Sequence, residues 1–284
     1  MNKPALSPIL ATVCLATMSL GTAAAVETEL QLPNKADELS FSTGAELVNK
    51  HYDQGVIRND NATLIGHVDA RWFDIGLHGD WYLAADGDNS RDINAGETTQ
   101  INLGVDYLFE LQDVFQIIPH FQFITYPNQV DQPWKDDQQW VGVDSWYILP
   151  WPNIEVGSGF DYNPFYNSTE DAYKGGGWLS DHALRAGVAS RQFIQNAPLD
   201  LAFYEVLNFG NAEYKRFLNG SGETGFTTFD LGLRYITPFF LDQLWMTASV
   251  EAHFWLENDD RQALKDAGQN TTEIVMGLGF EWKP

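Results

Sequence analysis

Apolar and polar residues alternate one for one through almost the whole chain after residue 38, and no other feature of the sequence restricts the fold as much. A period of two sends successive side chains to opposite faces of an extended strand. Leu64, Gly66, Val68, Ala70 and Trp72 alternate with His67, Asp69 and Arg71. Ile101, Leu103, Val105, Tyr107 and Phe109 alternate with Gln100, Asn102 and Asp106. The longest run sets Leu244, Met246, Ala248, Val250, Ala252, Phe254 and Leu256 against Thr247, Ser249, Glu251 and His253. One face of each strand must meet an apolar medium, the other a polar one.

Twelve such segments follow one another, at about 39–48, 64–72, 74–83, 100–109, 115–126, 138–149, 154–162, 179–190, 199–209, 229–235, 244–256 and 273–282. The fifth and sixth are apolar on both faces, which leaves their register open. Between segments, long gaps (Asn49–Asn61, Ala84–Glu97, Pro127–Asp137, Asn163–Gly177, Gly210–Gly225, Glu257–Asn270) alternate with short ones (near Phe73, Glu110–Val114, Pro150–Asn153, Arg191–Pro198, Thr237–Gln243). Long outer loops, short periplasmic turns and an even strand count mark transmembrane β-barrels. A soluble sandwich has no reason to keep that phase. Most segments have roughly 9 to 12 residues, enough to cross a bilayer at a tilt.

The expected fold is therefore all-β: a closed antiparallel transmembrane β-barrel of about 12 strands, an up-and-down meander over residues 38–284. Lipid cannot satisfy open backbone edges, so strands that cross it must close. Lys3, the apolar run Ile9–Leu20 and Ala23-Ala24-Ala25 read as an export signal over residues 1–25, with residues 26–37 a periplasmic segment. Cys14, the one cysteine, falls inside that signal, which removes disulfide and thiolate chemistry from the remainder.

A formal net charge of -23 excludes a nucleic-acid partner, since nothing would neutralise phosphates. Acidity often marks disorder, but 14% aromatic residues argue against it. A barrel in outer-membrane lipid reconciles the two, with aromatic girdles outside and an acidic interior. Trp72, Trp81, Tyr107, Phe109, Tyr147, Tyr162, Phe209, Tyr235 and Trp282 fall near segment ends, where such belts belong.

The inferred inward positions carry Asp69, Asp74, Asp80, Asp106, Asp144, Glu155, Asp161, Asp181, Asp230, Glu251, Glu273 and Glu281. Among them stand Arg71, Arg185 and Arg234, with His67, His78 and His253 read as solvated. Buried charges need partners or water. Three arginines cannot pair these acids, so a partly hydrated lumen of negative potential is expected, favouring cations. The expected function is a small porin-like channel passing small polar, preferentially cationic solutes by diffusion. The alternative is a structural or surface-interaction barrel whose lumen is filled by aromatic side chains and folded loops.

Catalytic constellations are absent. Gly157-Ser158-Gly159 lacks nucleophile-elbow spacing. Ser180 and His182 flank Asp181, but neighbours two apart on one strand cannot align nucleophile, base and orienter. No enzyme is expected, an outer-membrane lipid hydrolase being the third reading. Asp86, Asp88, Ser90, Asp92 and Glu97 occupy positions 1, 3, 5, 7 and 12 of a calcium-loop spacing, although Arg91 replaces the usual glycine. Calcium is the one cofactor these residues suggest.

Tyr52-Asp-Gln-Gly-Val-Ile-Arg-Asn-Asp-Asn-Ala-Thr-Leu64, then Trp72-Phe73, Gly96-Glu-Thr-Thr99 and Tyr126-Pro-Asn128, resemble the TorF-type porins and related outer-membrane barrels, mainly over residues 38–150. The resemblance implies a porin. The closing alternation through Phe280 and Trp282 resembles the terminal signal read by the barrel-assembly machinery, although Lys283 and Pro284 follow it.

Overall fold

The computed structural model describes residues 36–53, 56–88, 93–111, 114–127, 137–149, 154–163, 177–189, 200–217, 223–266 and 268–283; residues 36–38, 53, 56, 57, 148, 154, 177–189, 200–202, 213, 216, 217 and 242 are described by backbone alone. The described strands, in chain order, are β1 (Ala36–Val48), β2 (His51–Asp53), β3 (Val56–Asn59), β4 (Thr63–Phe73), β5 (Ile75–Ala84), β6 (Thr98–Tyr107), β7 (Phe109–Leu111), β8 (Phe115–Thr125), β9 (Gln138–Ile148), β10 (Ile154–Asn163), β11 (Gly177–Ala189), β12 (Asp200–Gly210), β13 (Gly225–Phe239), β14 (Leu241–Trp255) and β15 (Thr272–Trp282). Two helices, α1 (Ala212–Phe217) and α2 (Asn258–Asp266), stand between them.

Twelve of these strands are long, and they coincide with the twelve alternating segments. Each pairs antiparallel with its neighbour in the chain, with β7 continuing the edge of β6 against β8. The first and last strands also pair, Ala45 opposite Phe280 and Leu47 opposite Leu278. Because β6 pairs with both β5 and β8, every long strand has two partners and the sheet is a closed ring. The fold is the expected antiparallel meander barrel.

Its burial is inverted relative to a water-soluble protein. Leu77, Val141, Ile274, Met276 and Leu278 are about half exposed, whereas Gln100, Asn102, Gln116, Asp230 and His253 are 1% exposed or less. Soluble domains hide the first kind of residue and show the second. Along β15 inner and outer positions alternate: Glu273 and Val275 are buried, Ile274, Met276 and Leu278 exposed. An apolar solvent outside the ring accounts for that pattern, and the polar groups within find one another or water.

Two of the short connections are tighter than expected. Phe240 alone separates β13 from β14, and only Asp74 separates β4 from β5. Phe73 and Phe240 take positive φ, 52° and 60°, a region that bulky residues seldom enter. Asp74, expected on an inward face of the third strand, is thus a turn residue. Its carbonyl accepts the Leu108 N–H and its carboxylate accepts the Tyr107 hydroxyl.

Among the described residues, four long connections hold structure that the alternation did not show. β2 and β3 form a small hairpin in the first, Asp88 and Ile93 exchange backbone hydrogen bonds in the second, and α1 and α2 occupy the last two. All lie at one end of the ring, opposite the tight turns.

Candidate functional site

The inner face of the ring is the candidate site, and its chemistry is built from cross-strand rows. On β4, β5 and β6, Arg71 pairs with Gly76 and Gly76 with Asp106, so a glycine sits between a cation and a carboxylate. The Arg71 guanidinium reaches over it to both Asp106 oxygens, at 2.8 and 3.0 Å. The same arrangement recurs: His120–Gly142–Asp161 across β8, β9 and β10, and Glu281–Gly44–His67 across β15, β1 and β4. A Cβ at Gly76 or Gly142 would land on the side-chain atoms that meet above it. The central residue has no side chain because the flanking ones use its space.

Three histidines are each held by two carboxylates. His78 Nδ1 lies 2.8 Å from Asp69, and its Nε2 meets Asp106. His120 Nε2 lies 2.7 Å from Asp161, with Asp144 3.5 Å from the other nitrogen. His253 Nδ1 lies 2.8 Å from Asp230, and its Nε2 is 3.4 Å from Glu251. Asp230 also accepts from Asn208 and Thr228. The expectation of solvated histidines at positions 78 and 253 is therefore corrected. His253 is buried and His78 half-buried, because a carboxylate on each side replaces the water they give up.

Of the other expected inward residues, Asp80 and Glu155 are buried, and Arg234 is half-buried on β13. Glu273 receives the Lys50 ammonium at 2.7 Å, and Glu281 lies 3.3 Å from Lys283. The side chains of Asp181 and Arg185 lie outside the described residues. So do those of Ser180 and His182, whose backbone partners are Phe160 and Ser158 on β10. Ser90 and Asp92 also lie outside the described residues. In the same loop Asp88 is buried and accepts the Asp60 N–H, Asp86 accepts the Gly87 N–H, and Glu97 accepts the Asn94 N–H. Among the described residues, no three His, Cys, Asp or Glu groups are placed to hold a metal ion.

Sequence reasoning missed two parts of the site. His120 went unseen because β8 is apolar on both faces. The second part is the cover at the long-loop end. Tyr214 of α1 and Leu264 of α2 pack with Ile124, Tyr126, Trp140 and Trp255 into an apolar cluster. Lys215 of α1, fully buried, lies 2.6 Å from Glu257 and 2.7 Å from Asp260 of α2. The hairpin of β2 and β3 also turns inward: His51 stacks on Tyr82 at 4.2 Å, Tyr52 on His253 at 3.9 Å, and Arg58 lies over Tyr126. Burial, then the nearby Arg58 charge, push the His51 imidazole down to about 3. Burial works against the Lys50 ammonium, but hydrogen bonds to Glu273 and Asp60 outweigh it and raise that group above its usual range.

No family model matches the chain, and no curated protein matches it. Solved structures do. A NanC porin structure superposes with a TM-score of 0.51 at 9% identity, covering 86% of this chain and 100% of that one. An outer membrane channel from Pseudomonas putida F1 gives 0.45 at 11% identity, covering 89% of this chain and 97% of that one. The likeness to the first is one of fold: an outer-membrane type of β-barrel. The chemistry must come from this chain's own residues.

Proposed function

We propose that this barrel is a porin-like channel of the bacterial outer membrane that passes small polar solutes and prefers cations. One observation carries the reading: the surplus of carboxylate on the inner face. Glu46, Asp69, Asp80, Asp106, Asp144, Glu155, Asp161, Asp230, Glu251, Glu273 and Glu281 are set against Arg71, Arg234 and the inward histidines 67, 78, 120 and 253. Even with every one of those histidines charged, and with Lys50 and Lys283 set against Glu273 and Glu281, the acids are in excess. A low-dielectric wall focuses that excess into the lumen, where it raises the local concentration of cations. The resemblance to the TorF-type porins supports the same reading, and the reading assigns no catalytic role. The partners that go with it are outer-membrane lipid, small solutes and, through β15, the assembly machinery; the export signal at residues 1–25 would deliver the chain to them.

A second reading rests on the cover. The apolar cluster and the inward hairpin narrow the loop end, and a barrel closed there would act through its surface instead. Recording in planar bilayers separates the two. Unitary steps whose reversal potential under a KCl gradient follows potassium support the channel; a folded but silent barrel supports the closed form. Calcium at residues 86–97 is a separate proposal, and a calorimetric titration without heat would remove it.

A further inference from the structure

Under the β2–β3 hairpin lies a cavity of about 50 Å³, walled by β1, β2, β4, β5, β14 and β15. We propose that it is a binding site for a small primary ammonium ion.

The walls carry two carboxylates and an imidazole with hydrogen-bonding capacity to spare. His51 is 1% exposed, faces the cavity, and neither ring nitrogen has a hydrogen-bond partner. Leaving such a group unmatched in the interior is costly, so something should meet it. Glu46 and Glu251 enter from β1 and β14. Glu46 takes one hydrogen bond, 2.8 Å from the Ser249 hydroxyl, and Glu251 has the long contact to His253. An ionised carboxylate has about four lone-pair positions, so both keep capacity. Lys50 also lines the cavity, but its ammonium is turned to Glu273 and Asp60 at 2.7 and 3.1 Å.

The occupant must therefore be a cation that donates hydrogen bonds. Carboxylates exclude an anion, and no three ligating groups converge here as a bare metal ion requires. A primary ammonium carries three N–H donors spread about one nitrogen, and Glu46, Glu251 and His51 line the cavity from three strands, each with an atom able to accept one. Val48, Ile65 and Val275 supply an apolar side for a short alkyl body. The volume suits about three or four heavy atoms, since one water needs roughly 10–15 Å³ on this measure.

The test is calorimetric titration of the full barrel, refolded in detergent, with ethylammonium chloride. Tetramethylammonium, guanidinium and sodium chlorides serve as comparisons. Saturable binding near the millimolar range is expected, with none from tetramethylammonium, which has the charge but no N–H. Glu46→Gln and Glu251→Gln should each weaken it by about tenfold or more, the loss of a charge-assisted hydrogen bond. No saturable heat from the wild type overturns the proposal. So does equal binding of tetramethylammonium or guanidinium, or undiminished affinity in whichever glutamine variant folds. The readout needs no current, so a barrel silent in bilayers would leave this site standing.

Discussion

His120 Nε2 on β8 lies 2.7 Å from Asp161 Oδ1 on β10, and the residue between them in the row is Gly142 of β9. The contact exists because β9 contributes no side chain there. Gly142→Ala would push both groups apart, at a cost of about 1–3 kcal/mol as overpacking. Gly66→Ala is the matched control, since nothing lies within 4 Å of a Cβ at that position. Urea unfolding in detergent should show the first variant less stable and the second near wild type.

Lys215 locks the cover. With no exposure and two carboxylates within 2.7 Å, it leaves Glu257 and Asp260 facing each other if it is removed. Lys215→Ala should destabilise the cover by roughly 3–5 kcal/mol, the cost of breaking a buried ion pair. Limited proteolysis should then cut within α1 or α2 faster than in wild type, while the circular dichroism of the strands is unchanged.

The twelve strands were legible because lipid on one side and polar groups on the other impose a period that loops do not share. Where the alternation failed, the cause is local. Ile124 of β8 and Trp140 of β9 point inward yet are apolar, because at that height they pack on Tyr214 and Leu264 rather than on polar neighbours. That cover was itself hidden. α1 has 6 residues and α2 is polar over most of its 9, so neither shows a helical period of apolar residues. Rows such as Arg71–Gly76–Asp106 join residues from three strands, which no local pattern displays.

His51 gives a pH dependence with a definite sign. Unfolded, its imidazole takes up a proton near 6.5; folded, it stays neutral down to about 3. Between those values the unfolded chain binds more protons, so stability from this group is complete above about pH 6.5 and is lost as pH falls towards 3. The protection of the β2 and β3 amides, taken relative to the intrinsic exchange rate at each pH, should fall over that window. His51→Phe should flatten the response.

Charge at the inner wall should set ion preference. Asp80 and Glu155 are buried there. Asp80→Asn together with Glu155→Gln should move the reversal potential under a KCl gradient towards zero, with the barrel still folded. A reversal potential that stays at its wild-type value would separate these carboxylates from selectivity.

The account depends most on which side of each strand meets lipid. Spin labels placed one at a time at residues 273 to 280 of β15, in liposomes, read this directly, with Cys14 replaced so that each label site is unique. Oxygen accessibility should be high at 274, 276, 278 and 280 and low at 273, 275, 277 and 279. An accessibility that does not oscillate, or one with the opposite phase, would contradict the barrel described here.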